Sequence, residues 1–125
     1  MKIDKTQALY KFWSSFGLPA YNELTVPDNA ELPYITYEVA TGSLGDVVAL
    51  SASIWYNSYS WEEVAKKSDE IAEFIYKQDP PAISIKGGRL YITKGKPFTR
   101  DMDDDSSKMI RKRIININAE FQTAY

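Results

Sequence analysis

Between residues 49 and 76 the apolar period changes from that of a strand to that of a helix, with almost no loop between. In ALSASIWYNSYS, Leu50, Ala52, Ile54 and Tyr56 alternate with Ser51, Ser53, Trp55 and Asn57, which predicts a strand with a core side and a smaller or more polar side. In WEEVAKKSDEIAEFIY, Trp61, Val64, Ala65, Ser68, Ile71, Ala72 and Ile75 fall on one helical stripe, and Glu62, Glu63, Lys66, Lys67, Asp69, Glu70 and Glu73 fall elsewhere. Ser60 reads as the N-cap and Glu63 as its capping-box partner, so the helix is expected to begin at Trp61. Glu62 with Lys66 and Glu63 with Lys67 have the favourable i,i+4 order on the wet side. A stripe this broad suits packing on a sheet better than a coiled-coil seam.

The same patterns place the remaining elements. Asp4 and Gln7 form a second capping box, and Ala8, Leu9, Phe12, Trp13 and Phe16 give an apolar face that ends at Gly17 and closes one side of the core. Prolines 19, 27 and 33 make another helix unfavourable over 18–33, leaving a loop with at most one short extended piece over 21–26. YITYEVAT (34–41) alternates as a strand, and GSLGD (42–46) turns it antiparallel onto the strand beginning at Val47 or Val48. After Asp79-Pro80-Pro81 ends the helix, AISIK and RLYITK flank Gly87-Gly88 as a hairpin. A last strand runs over 109–121, with Ile115, Ile117, Ala119 and Phe121 on the core side. Ile110 and Ile114 have the opposite parity, which a bulge near Arg113 would reconcile. The order is that of a single α+β domain spanning 1–125: a largely antiparallel, mixed sheet of four to five strands, two helices packed on one face and a long charged hairpin loop.

Composition narrows the chemistry. In 125 residues, 44% hydrophobic and 14% aromatic, there is enough apolar surface to fold one core, and no run approaches a membrane span or a signal peptide, so a soluble protein is expected. The chain has neither cysteine nor histidine, which excludes disulfides, thiolate or imidazole metal sites, and Ser-His or Cys-His catalysis. A net charge of −2 gives no overall basic field for nucleic acid. No catalytic residue, cofactor or metal is expected, and the protein does not read as an enzyme.

The segment GKPFTRDMDDDSS (95–107) is too long for an ordinary hairpin turn and carries Asp101, Asp103, Asp104 and Asp105, followed by Lys108, Arg111, Lys112 and Arg113. Three readings compete: a solvated, self-repelling loop; a divalent-cation site, for which the EF-hand order and distal glutamate are missing; and an assembly arm whose acidic stretch meets the basic stretch of the next subunit in a ring. These eight residues are the candidate subunit or partner interface. The basic cluster lacks interleaved aromatic stacking groups, which argues against direct nucleic-acid recognition.

LPYITYEV, LSASIWYNSYSWEEVAKKSDEIAEFI and GGRLYITKGKPFTRDMDDDSSKMIRKRIININAEF together resemble the tail terminator (tail completion) proteins of long-tailed bacteriophages and phage-like elements, over residues 32–121. The resemblance implies a structural virion protein without turnover, assembled in the host cytoplasm as a homohexameric ring on the head-proximal end of the tail tube. There it would stop tube polymerisation and join tail to head. The implied partners are other copies of itself, the major tail tube protein and the head-tail connector protein, with DNA passing through the ring without sequence-specific binding and no membrane involved. By position, residues 101–107 would be a projecting loop and residues 108–113 its base. The alternative from another class is a small ligand- or divalent-cation-binding module using residues 101–105. A hydrolase on carboxylates alone is disfavoured, since clustered aspartates offer no differentiated acid and base.

Overall fold

A computed structural model describes residues 3–39, 47–57, 60–78, 80–102 and 110–123. In chain order these form α1 (Lys5–Ser14), β1 (Ala20–Asn22), β2 (Tyr34–Tyr37), β3 (Val47–Asn57), α2 (Glu62–Gln78), β4 (Ala82–Ile85), β5 (Gly88–Met102) and β6 (Ile110–Thr123). The strands make one mixed sheet in the order β1-β2-β3-β6-β5-β4, antiparallel except for the β1–β2 pair. The α+β class holds. The sheet has six strands instead of four to five, because the short extended piece near Tyr21 pairs parallel to β2, Ala20 opposite Ile35 and Asn22 opposite Tyr37.

Both helix starts follow from local chemistry. Asp4 Oδ1 accepts from the Gln7 N–H at 2.8 Å while the Gln7 side chain accepts from the Asp4 N–H at 3.0 Å, the reciprocal capping box. Ser60 Oγ accepts from the Glu62 N–H at 3.0 Å, and regular helix starts at Glu62, one residue later than expected. Val64, Ser68, Ile71 and Ile75 are buried along α2, as the stripe required, and each apolar member contributes about 1.5–3 kcal/mol by leaving water. Ala8, Leu9, Phe12 and Trp13 of α1, and Phe16 just after it, are likewise buried. Phe12 meets Trp13 and Phe16 edge-on, and Phe74 of α2 meets Phe16 edge-on at 5.4 Å, so an aromatic joint locks the two helices together. Glu62 pairs with Lys66 as expected, at 3.9 Å, but Lys67 turns from Glu63 to Glu70 and donates to the Phe16 carbonyl at 2.7 Å. The Lys67 cation thus satisfies a carbonyl of the turn that follows α1 and sits at the favourable end of the helix dipole.

The two helices lie on the same side of the sheet. Their apolar stripes share one cluster with Ile35, Leu50, Ala52, Ile54, Ile85, Leu90, Ile92, Ile115, Ile117, Ala119 and Phe121. The β4–β5 hairpin forms as expected, but its two-residue turn is Lys86-Gly87. Gly87 supplies the positive φ of 83°, and Gly88 already sits in the ladder opposite Ile85.

Two expectations for the last hairpin are corrected. The segment after Lys94 is not all loop: β5 continues to Met102, so residues 95–102 are strand, and residues 103–109 lie outside the described residues. The bulge is in β5, not near Arg113. The β3–β6 ladder runs unbroken from Val47 opposite Glu120 to Asn57 opposite Ile110, whereas β5–β6 shifts register between Lys94 and Thr99. The expected turn at 42–46 also lies outside the described residues.

Candidate interaction face

The continuous register of β6 sends the residues of its basic run to opposite sides of the sheet. Arg111 and Arg113 share parity with Ile115 and face the helix layer, while Lys112 shares parity with Ile114 and faces away. Arg113 is largely buried and binds both oxygens of Asp101, Nε to Oδ1 at 2.5 Å and a terminal nitrogen to Oδ2 at 3.3 Å; its other terminal nitrogen donates to Ser68 Oγ at 2.8 Å. The buried Ser68 hydroxyl donates in turn to the Ala65 carbonyl at 2.9 Å, which explains a serine on an otherwise apolar stripe. The Arg111 guanidinium lies over Trp61, 5.4 Å from the ring centroid. Of the eight residues in the expected interface, Asp101 and Arg113 are thus paired within one chain. Arg111 is held on the helix side, Lys112 reaches the other side, and Asp103, Asp104, Asp105 and Lys108 lie outside the described residues.

The side of the sheet away from the helices carries a row that the charge pattern did not reveal. Tyr34, Trp55 and Lys112 are direct cross-strand partners on β2, β3 and β6, one strand spacing apart. Tyr21 on β1 extends the row: its ring meets that of Tyr34 edge-on at 5.7 Å, and Tyr34 meets Trp55 at 6.3 Å with a 44° tilt. Lys112 Nζ sits 4.6 Å from the Trp55 ring centroid. The Trp55 indole N–H is satisfied by Thr36 Oγ1 at 3.0 Å, so what the row offers a partner is apolar surface and one cation. All four side chains are half-buried, and Ile110 and Ile114 of the same parity are also half-buried.

Next to this row the β5 bulge is pinned from the same side. Asn116 accepts from the Ser51 hydroxyl at 2.7 Å and donates to the Pro97 carbonyl at 2.9 Å, and Gly95 packs so closely that an added Cβ would lie 2.9 Å from Asn116 Cβ. Asn116 is therefore a structural clamp.

Among the described residues there is no cluster of three or more potential metal ligands. Burial raises the Tyr37 and Tyr56 phenols above 10.0, with Tyr10 adding to the first and Glu63 and Glu70 to the second. The Lys77 hydrogen bond holds the exposed Glu73 carboxyl below its ordinary value and raises Lys77 in turn. A recess of about 150 Å³ between α1, α2 and β4 is lined by Phe12, Phe74, Pro81 and Ile83 with a Lys11, Ser15 and Gln78 rim, and holds no convergent charged pair. Among the described residues no helix is long and apolar enough to cross a membrane.

The class these features define is a two-layer α+β domain with one sheet face covered by helices and the other carrying an aromatic and cationic row. Neither the protein-family models nor the curated proteins compared with this chain include a match.

Proposed function

We propose that this protein is a structural virion component, a tail terminator of a long-tailed phage or phage-like element. In this reading it acts without turnover, as a ring of identical subunits, expected to be six, on the head-proximal end of the tail tube. It ends tube polymerisation and offers the connector a docking surface while DNA passes through. Its partners are its own copies, the tail tube protein and the connector.

The observation that carries the reading is the uncovered sheet face. Among the described residues the helices cover only one side of the sheet, and the row of Tyr21, Tyr34, Trp55 and Lys112 on the other side supports a role as a subunit, because aromatic groups are enriched at the cores of protein interfaces. The resemblance over residues 32–121 to tail terminators supports reading that assembly as a tail end. The lack of any histidine or cysteine in the chain fits a role in contacts.

Electron microscopy of the protein mixed with tail tubes of its own phage tests this. Rings on one end of the tubes, with growth arrested, are expected; bare ends and continued growth overturn the reading.

A further inference from the structure

We propose that the row on the uncovered sheet face takes the acidic outer side of α2 from a second copy, so that subunits join head to tail. The proposal rests on the ring reading and names the two surfaces that meet.

Charge sets the pairing. Helix α2 carries five carboxylates, Glu62, Glu63, Asp69, Glu70 and Glu73, against Lys66, Lys67 and Lys77. Three of the carboxylates pair along the helix with those lysines, and Glu63 and Asp69 are exposed beside them, so the outer side of α2 is net acidic. On the uncovered face the aromatic row ends in one cation, Lys112 on β6, beside Trp55. An isologous contact of this face with itself would bring the same cations together; a heterologous contact sets them against carboxylates instead. Edge pairing is the poorer route, since the terminal strands β1 and β4 have only three and four residues.

Ring geometry selects protein over nucleic acid. A base-stacking platform needs flat, open ring faces. Here the rings meet edge-on or tilted, one Trp55 face is occupied by Lys112, and the Trp55 N–H is bound to Thr36. Such a row is filled by knobs from an adjacent surface more readily than by a strand of bases.

The chain has no cysteine, so engineered thiols report without background. Asn57 is exposed on the same side as Trp55, and Asp69 is exposed on α2. Full-length Asn57→Cys and Asp69→Cys, mixed and treated with a short bis-maleimide, are expected to give a cross-linked dimer, while each variant alone gives none. The double variant is expected to give a ladder that stops at the ring size. Lys112→Glu should reduce association at least ~10-fold by sedimentation velocity at low salt, and adding Asp69→Lys in the same chain should restore it. Dimers of Asn57→Cys alone, no mixed product at millimolar protein either free or on tail tubes, or loss of the mixed product on adding a single-stranded oligonucleotide would each overturn the proposal. A ladder without capped tubes keeps the head-to-tail contact and removes the tail reading; capped tubes without the mixed product do the reverse.

Discussion

Arg113 shows how one side chain joins three elements. Its guanidinium meets both oxygens of Asp101 on β5 and the Ser68 hydroxyl on α2, with a side-chain exposure of 16% against 50% for Asp101. The two sides of the pair are therefore unequal. Removing the arginine leaves a buried hydroxyl that has lost its donor and a large void; removing the aspartate leaves a guanidinium that solvent still reaches. Arg113→Ala is expected to cost about 1–3 kcal/mol and Asp101→Ala below about 1 kcal/mol, read as shifts of the urea midpoint at constant slope. Arg113→Lys should recover little, because a single ammonium cannot serve the carboxylate fork and Ser68 at once. Equal costs for Arg113→Ala and Asp101→Ala would show that Ser68 is indifferent to the arginine. Tyr37 and Tyr56 give the chain a second residue-level property. Their folded values lie above 10.0 chiefly through burial, so the neutral phenols are favoured in the folded state. Their contribution to stability is complete below pH 10.0 and is lost as pH rises through the folded values. The melting temperature should thus fall in strong alkali, and Tyr56→Phe should flatten the fall; an unchanged slope in that variant would assign the alkaline loss to other groups.

At the scale of elements, what was legible in the sequence was what neighbours along the chain decide. The Asp4–Gln7 box, the α2 stripe and the alternation of β3 depend on residues a few positions apart, and each formed in place. Strand β1 was legible only as a short extended piece near Tyr21, since three residues between prolines become a strand only by pairing with β2 across an intervening loop. The β6 register misled for a physical reason. Ile110 and Ile114 suggested a slip, yet near the hairpin end the helix side of the sheet meets Trp61 and Ser68, where guanidiniums with long apolar stems fit better than isoleucines. The aromatic row was hidden similarly: Tyr34, Trp55 and Lys112 line up only once the pairing 34 to 55 to 112 is fixed, and charge alone pointed to the acidic run. The bulge that the sequence seemed to demand of β6 occurs in β5, where Gly95 lets the backbone approach Asn116. Gly95→Ala would place a Cβ 2.9 Å from Asn116 Cβ and 3.0 Å from its backbone, which β6 cannot yield without moving the central strand. A loss of about 1–3 kcal/mol is expected from such overpacking, together with changed amide signals for Asn116 and Ser51. Wild-type stability in this variant would mean that the bulge is free to shift.

For the whole molecule the decisive feature is that the last strand in the chain is central in the sheet. Strands β3 and β5 both pair with β6, so without it the sheet divides into β1-β2-β3 and β4-β5. Four fully buried residues, Ile115, Ile117, Ala119 and Phe121, leave with it, and α2 loses the centre of the surface it covers. The β4-β5 remnant is a two-stranded hairpin, marginal at best alone, and each remnant exposes apolar surface that β6 would have joined. The chain ending at residue 109 is therefore expected to show no cooperative thermal transition by circular dichroism, whereas point substitutions on the uncovered face, such as Lys112→Glu, should keep one. The same topology delays folding until the full chain is present, because the β3–β6 pairing joins Val47 to Glu120 and closes a long loop before any of its contacts form. Refolding on the millisecond-to-second scale, slowed further by Ile117→Ala, would agree with a nucleus that includes β6. A cooperative melt in the truncated chain would show instead that α1, α2 and the two sheet fragments share a core of their own.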